Sequence, residues 1–251
     1  QDNKIDTVYI RKVSPFPCTL DFFKWLRLRG IIILYEYPTY PYLKELLHAK
    51  SFKTITLEFF FNKKLERIVD HFFIITDDYN ASKIKINNWT RFSNGFDVKS
   101  VTPRHAPLWE RGKPLHCLAL ANVSYWHGFD RFIDGLRLYK KSPLSKEQEV
   151  VLHIVGDGAE IENLRILVDD FSLQESVCFH GAKSGSELDV YFENCHLGVA
   201  SLGLHRKGLR GATELKVREY CSRGIPFICA HDDPDFHNAE SFFKKFPAND
   251  D

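Results

Sequence analysis

Residues 203–212 (GLHRKGLRGA) combine three glycines, Gly203, Gly208 and Gly211, with Arg206, Lys207 and Arg210. Glycines let backbone N–H groups approach a ligand, and guanidinium groups hold phosphate oxygens in pairs. Thr213 is a good N-cap, and a helix starting there would add the partial positive charge of its N-terminus. The chemistry this suits is diphosphate binding, although a solvated, mobile basic loop has the same composition. Lys216, Glu219 and Tyr220 follow three and four residues apart, on one face of that helix. The carboxylate could accept hydrogen bonds from a ribose diol and the ammonium could neutralise a phosphate; an ordinary surface ion pair has the same spacing.

Four further segments have suitable residue types. Gly156-Asp157-Gly158 follows the run VVLHIV as a tight turn, without forming a GxGxxG fingerprint. His180-Gly181-Ala182-Lys183 follows VCF, and its backbone could read a base edge. His127 and Arg131 are four apart near a helix start, where both could reach an anion, or serve as a structural histidine and a surface arginine. Glu36 stands among Tyr35, Tyr37, Tyr40 and Tyr42, a set that suits carbohydrate hydroxyls and ring faces, or a rigid packed loop around Pro38 and Pro41.

These segments need a scaffold, and the hydrophobic pattern supplies one. Residues 4–11, 31–35 and 72–76 read as strands; 19–29, 42–49 and 56–69 read as helices. Between 94 and 114 the pattern breaks at Asn94-Gly95, Pro103, Pro107, Gly112 and Pro114, which marks a domain junction. We assign 1–98 to a first domain, 99–114 to an interdomain segment and 115–251 to a second domain. In the second, strands at 115–121, 150–155, 176–179, 197–201 and 225–230 alternate with helices at 127–140, 159–170, 186–193 and 213–223. Near-continuous apolar strands alternating with helices imply a parallel sheet covered on both faces. The class is α/β, Rossmann-like and doubly wound, with ligands expected at the carboxyl ends of the strands.

The chain has 251 residues, 44% apolar and 27% charged, with 34 Lys+Arg against 33 Asp+Glu. A chain of this length buries roughly 70% of its surface, which excludes disorder for most of it. A net charge of +1 gives no general footprint for nucleic acid. No apolar run approaches the roughly 20 residues that span a bilayer. Phe59 to Phe61 beside Lys63, Lys64 and Arg67 would suit peripheral contact with anionic lipid at the inner face of a membrane, although such phenylalanines are more often core. The six cysteines form no CxxC pair and read as small apolar residues in a reducing compartment. With no signal peptide in view, the expected location is cytoplasmic. The absence of Met, with a strand pattern almost at Gln1, suggests a piece of a longer protein. HExxH, GxSxG, P-loop and cysteine-rich ligand sets do not occur, which disfavours metal-dependent hydrolysis and NTPase chemistry.

In order along the chain, ILYEYPTYPY (33–42), FSNGFDV (92–98), WHGFDRFIDGL (126–136), VLHIVGDG (151–158), VCFHG (177–181) and ELKVREYCSRGIPFICA (214–230) resemble the retaining family-4 (group 1) glycosyltransferases of GT-B fold. The likeness is strongest to bacterial members that build capsular, exopolysaccharide or lipopolysaccharide chains. It implies two Rossmann-like domains, the first incomplete here because its opening strands and Gly-rich loop are missing. It also implies a metal-independent, retaining hexosyltransferase-type enzyme without a cofactor. A nucleotide diphosphate sugar would be held by the second domain and a glycan or lipid-linked saccharide acceptor by the first. Glu219 matches the glutamate that binds the donor ribose, and Lys216 is a phosphate partner on the same motif helix. Arg206, Arg210, Gly211, His127, Arg131, Gly156, Gly158 and Gly181 complete the expected donor site. The catalytic residue is unassigned, with Glu36 an acceptor-side candidate. Two departures stand out: the first glutamate of the family's paired-Glu pattern falls on Gly211, and its basic pair on Asn122 and His127. These keep open a non-catalytic, nucleotide- or glycan-binding subunit that partners an active enzyme.

Overall fold

The computed structural model describes residues 4–42, 52–103, 109–236 and 241–250. Most of the helix expected at 42–49 lies outside them, as does part of the interdomain segment. Two compact units are present: residues 1–94 with 207–209, and residues 95–206 with 210–251.

The first unit is a parallel sheet of β1 (Thr7–Arg11), β2 (Ile32–Tyr37), β3 (His71–Ile74) and β4 (Trp89–Arg91), in that order. β1 pairs with β2 from Thr7 opposite Ile32 to Arg11 opposite Glu36. The helix Pro17–Leu28 starts on a proline, whose fixed φ suits the first turn. It buries Leu20, Phe23 and Leu26, spaced to face the sheet. Tyr35 and Tyr37 are almost fully buried, and Tyr37 stacks on Phe72 at 5.7 Å and on Tyr42 at 5.4 Å. Of the two readings of the tyrosine-rich segment, these rings take the packed one. The helix Phe52–Leu65 leaves Phe59 and Phe60 exposed, with Lys64 Nζ 4.8 Å from the Phe60 ring centre.

The second unit is a six-stranded parallel sheet: β5 (Leu115–Leu120), β6 (Val150–Val155), β7 (Val177–Phe179), β8 (Leu197–Val199), β9 (Phe227–Cys229) and β10 (Phe243–Lys245). Its spatial order is β10-β9-β8-β5-β6-β7. The chain therefore builds outward from β5 to one edge, then returns to β5 and builds toward the other. Ile133, Leu136, Leu164 and Val168, from helices Phe129–Lys140 and Ile161–Asp170, pack in one cluster with Cys117, Leu152 and Ile154. Phe192, Val217 and Tyr220, from helices Ser186–Asn194 and Leu215–Arg223, pack in another with Leu118, Val155 and Phe227. Both faces of the sheet are thus covered, as the apolar strands require.

Three expectations are corrected. β4 and β10 escape the sequence reading because WTR and FKK are short and mostly exposed, without an apolar run. The helix expected from 127 begins at Phe129, because Tyr125–His127 forms a separate 3-10 turn ended by Gly128 at φ +66°. The helix expected from Thr213 begins at Leu215 with Glu214 as N-cap residue, whose carboxylate is engaged elsewhere. Of the cysteines, Cys117, Cys195 and Cys229 are buried, Cys178 and Cys221 half-buried and Cys18 exposed.

Candidate functional site

Where a parallel sheet reverses its order, the loops leaving the two central strands diverge and open a crevice at their carboxyl ends. Here that point lies between β5 and β8. The loops that leave β5, β6 and β8 are in backbone contact, which only glycine permits. A Cβ on Gly128 would lie 2.5 Å from Gly203 N, and one on Gly158 2.2 Å from Val123 O. One on Gly156, at φ +131°, would lie 1.7 Å from Ala121 O. Bonds from Leu202 N to His127 O (2.8 Å), Val123 N to Asp157 O (2.6 Å) and Gly156 N to Gly181 O (2.8 Å) complete the lacing.

Ser201, just past β8, donates its backbone N–H to Glu214 Oε2 at 3.0 Å and its hydroxyl to Glu214 Oε1. Lys216 Nζ lies 3.5 Å from Ser201 Oγ and 3.9 Å from the Glu214 carboxylate. His231, just past β9, sets Nε2 3.7 Å from Glu214 and Nδ1 3.2 Å from Ser201 O. The cluster is nearly dry: the Lys216 and Glu214 side chains are 10% and 12% exposed, and His231 1%. Burial alone would raise the Glu214 carboxyl, but Lys216, His231, the Ser201 hydroxyl and His127 overcome it and hold it at about 2. Burial pushes the Lys216 ammonium down and Glu214 opposes it. The result is an ionised cluster around the first turn of helix Leu215–Arg223.

His127 Nδ1 accepts from Ser124 N at 2.9 Å, so the neutral ring carries its proton on Nε2. The His127 carbonyl accepts from Leu202 N, the residue after Ser201, which sets it beside the cluster. Lys216, His127, Gly156 and Gly158 therefore converge on the switch-point edge. Other expected residues have different engagements. Arg206 is 6% exposed, bound to Asp130 at 2.7 Å and to Asp250 at 2.7 Å, with Tyr125 beneath its guanidinium at 4.5 Å. Arg131 donates to the carbonyls of Leu202 and of Pro247. The Arg210 carbonyl accepts from Asp232 N at 2.9 Å, and Gly211 forms a bridge to Asp232. Gly181 adopts φ +68° with open space at its Cβ position. Glu219 Oε1 accepts from Arg223 Nε at 3.0 Å, and Arg223 also reaches Asp189 at 2.7 Å. In the first unit, Glu36 is buried, bound by Tyr9 Oη at 2.6 Å and by Arg11 at 3.3 Å.

Arg206→Gln is expected to lower stability by about 1–2 kcal/mol in urea unfolding, since it leaves Asp130 and Asp250 without their shared cation. The exposure of both carboxylates keeps the figure small.

Sequence reasoning missed Ser201, Glu214 and His231. Each is polar and lies within a few residues of a buried strand's end or a helix's first residue, but nothing local joins them into one group. Also unforeseen is the group just past β1, where Ser14 Oγ donates to buried Glu58 at 2.8 Å and Lys12 Nζ lies 3.5 Å from Glu58 and 4.6 Å from the Tyr42 ring centre. A row of histidines crosses the second sheet: His116 Nδ1 lies 2.9 Å from His153 Nε2, and His153 Nδ1 3.0 Å from His180 Nε2. Burial, with help from His116 and His180, pushes the His153 imidazole down to about 4.

A doubly wound parallel sheet with a polar, glycine-laced crevice at its order reversal is a Rossmann-like domain. Residues 104–234 match the family of glycosyl transferases group 1, and the chain belongs to that family. Solved structures of similar fold include the sucrose-phosphate synthase from Thermosynechococcus elongatus (16% identity, TM-score 0.62, 90% of this chain and 56% of that one). They also include the HepE protein of Anabaena in complex with UDP (14%, 0.60, 98% and 66%). A third is the apo lipopolysaccharide outer core galactosyltransferase WaaB (17%, 0.56, 96% and 62%). This chain thus spans less than two thirds of the length of each of these structures. The fold is that of GT-B glycosyltransferases, with partial domain fits. No curated protein sequence matches the chain. No helix among the described residues is long and apolar enough to cross a membrane.

Proposed function

We propose that the second unit holds a nucleotide diphosphate sugar and that the whole protein transfers the sugar, with retention of configuration, to a polysaccharide or lipid-linked oligosaccharide. The observation that carries this is the collection of Ser201, Glu214, Lys216 and His231 at the carboxyl ends of β8 and β9, beside the order reversal and at the start of helix Leu215–Arg223. Lys216, the His127 Nε2 proton and the N–H groups of that helix's first turn would stabilise the departing diphosphate. On this reading no metal is needed there. Glu219 would receive the ribose diol with the oxygen that Arg223 leaves available, and the turn at Gly181 would meet the base. The first unit would hold the acceptor, with Glu36 and Glu58 as the carboxylates to test. Contact with a membrane surface through Phe59 and Phe60 is part of the same proposal.

Calorimetric titration of UDP and of GDP into the full-length protein tests the donor site. UDP is the first choice because the HepE structure is a UDP complex. Saturable binding of one nucleotide is expected, weakened ten- to a hundred-fold by Glu219→Ala, which corresponds to about 1.5–3 kcal/mol for one lost charged hydrogen-bonded contact. Absence of binding by either nucleotide to the folded protein would sink the donor site.

The non-catalytic subunit is kept as a second reading by one observation. A Cβ on Gly211 would lie 2.9 Å from Asp232 O, so the backbone has no place for a glutamate at that position. Nucleotide binding without turnover in the presence of acceptor would favour it.

A further inference from the structure

We propose that His153, Cys178 and His180 form a zinc site on the face of the second sheet covered by helix Ser186–Asn194. Register explains why these side chains meet. His153 on β6 is paired with Cys178 on β7, and partners in a parallel ladder present side chains on the same face. His180 is two residues beyond Cys178 and returns to that face. One donor atom from each of the three lies within 4.8 Å of the others. His153 Nδ1 and His180 Nε2 are 3.0 Å apart, close to the roughly 3.3 Å between two nitrogens on a tetrahedral zinc with bonds of about 2.05 Å.

Two imidazoles and a thiolate suit Zn²⁺, a borderline-soft ion, and do not suit Mg²⁺ or Ca²⁺, which take oxygen ligands. Binding releases the Cys178 thiol proton to solvent, and water fills the fourth position. The surroundings orient the ligands. With His153 Nδ1 on the metal, its Nε2–H donates to His116 Nδ1 at 2.9 Å, and the backbone N–H of His116 is held separately by His196 Nδ1 at 3.1 Å. Such outer hydrogen bonds fix the tautomer of the metal-bound ring. Tyr191 lies against the His180 ring at 4.7 Å between ring centres. The nearby cation Lys183 is 3.7 Å from Glu187, which offsets its repulsion of a metal ion. The metal would tie β6 to the turn that carries Gly181, the turn proposed above to meet the base.

The test uses the full chain after chelator treatment. Zn²⁺ is expected to bind one to one in competition with a chromophoric chelator, and Co²⁺ to give a thiolate charge-transfer absorption. Cys178→Ser should abolish that absorption, and His116→Gln should weaken Zn²⁺ binding ten- to a hundred-fold. Absence of stoichiometric uptake, or an absorption that survives Cys178→Ser, overturns the proposal. If Cys178→Ser fails to fold, alkylation of the unsubstituted chain decides. Zn²⁺ should slow modification of Cys178 while leaving exposed Cys18 unchanged, and equal modification of Cys178 with and without Zn²⁺ overturns the site.

Discussion

Gly156→Ala is expected to destabilise the second unit by on the order of 4 kcal/mol, among the largest effects of any single substitution in it. The argument is steric. At φ +131° an L side chain is strained by about 1–3 kcal/mol before it meets anything. The added methyl would then lie 1.7 Å from Ala121 O and 2.8 Å from Ala121 C, both backbone atoms that cannot swing aside. Either the β5 loop or the β6 turn must move, and the 2.8 Å bond from Gly156 N to Gly181 O is lost with it. Gly135→Ala is the control. It lies within helix Phe129–Lys140 with nothing within 4 Å of its Cβ position, and should gain up to about 1 kcal/mol from helix propensity. Urea unfolding of both variants checks the pair; equal midpoints would refute the close approach.

Glu214→Gln is expected to remove about 3 kcal/mol at pH 7, although it keeps the side chain's length and one of the two oxygens that accept from Ser201. What it deletes is the negative charge that faces Lys216, leaving that buried ammonium without its counter-charge. The pH dependence follows from linkage. The Glu214 carboxyl sits at about 2 when folded and near 4.3 when unfolded, so its stabilisation is fully present above the unfolded value and is lost as pH falls toward 2. Wild type and variant should therefore differ most above pH 5 and converge as pH drops from 4 to 2. Urea midpoints measured from pH 3 to 7 test this, and a gap that stayed constant across the range would show that the charge is not what Glu214 contributes.

The scaffold could be read from the sequence because buried parallel strands must be apolar throughout. Runs such as VVLHIV read directly as buried parallel strands. Edge strands carry no such signature: FKK pairs with β9 through its backbone, while its two lysines are exposed. The glycine turns at 156–158 could also be found, since their residue type records a backbone demand. The Glu214 cluster could not. Its partners come from 13 residues before and 17 after, and they meet only because β8 and β9 are neighbours in the sheet. The arginines misled for a related reason. Charge type says that a guanidinium needs an anion, but for Arg206 that anion is Asp130 and Asp250 of its own chain.

The contact between Gly128 and Gly203 has an entropic consequence for whatever binds there. No side chain separates the two backbones, and Leu202 N is bonded to His127 O across the junction, so neither loop can shift without carrying the other. Ordering a flexible loop around a ligand consumes about 1–2 kcal/mol per residue fixed. A crevice whose walls are already locked to each other avoids most of that loss, so more of each contact formed with a ligand is retained as affinity.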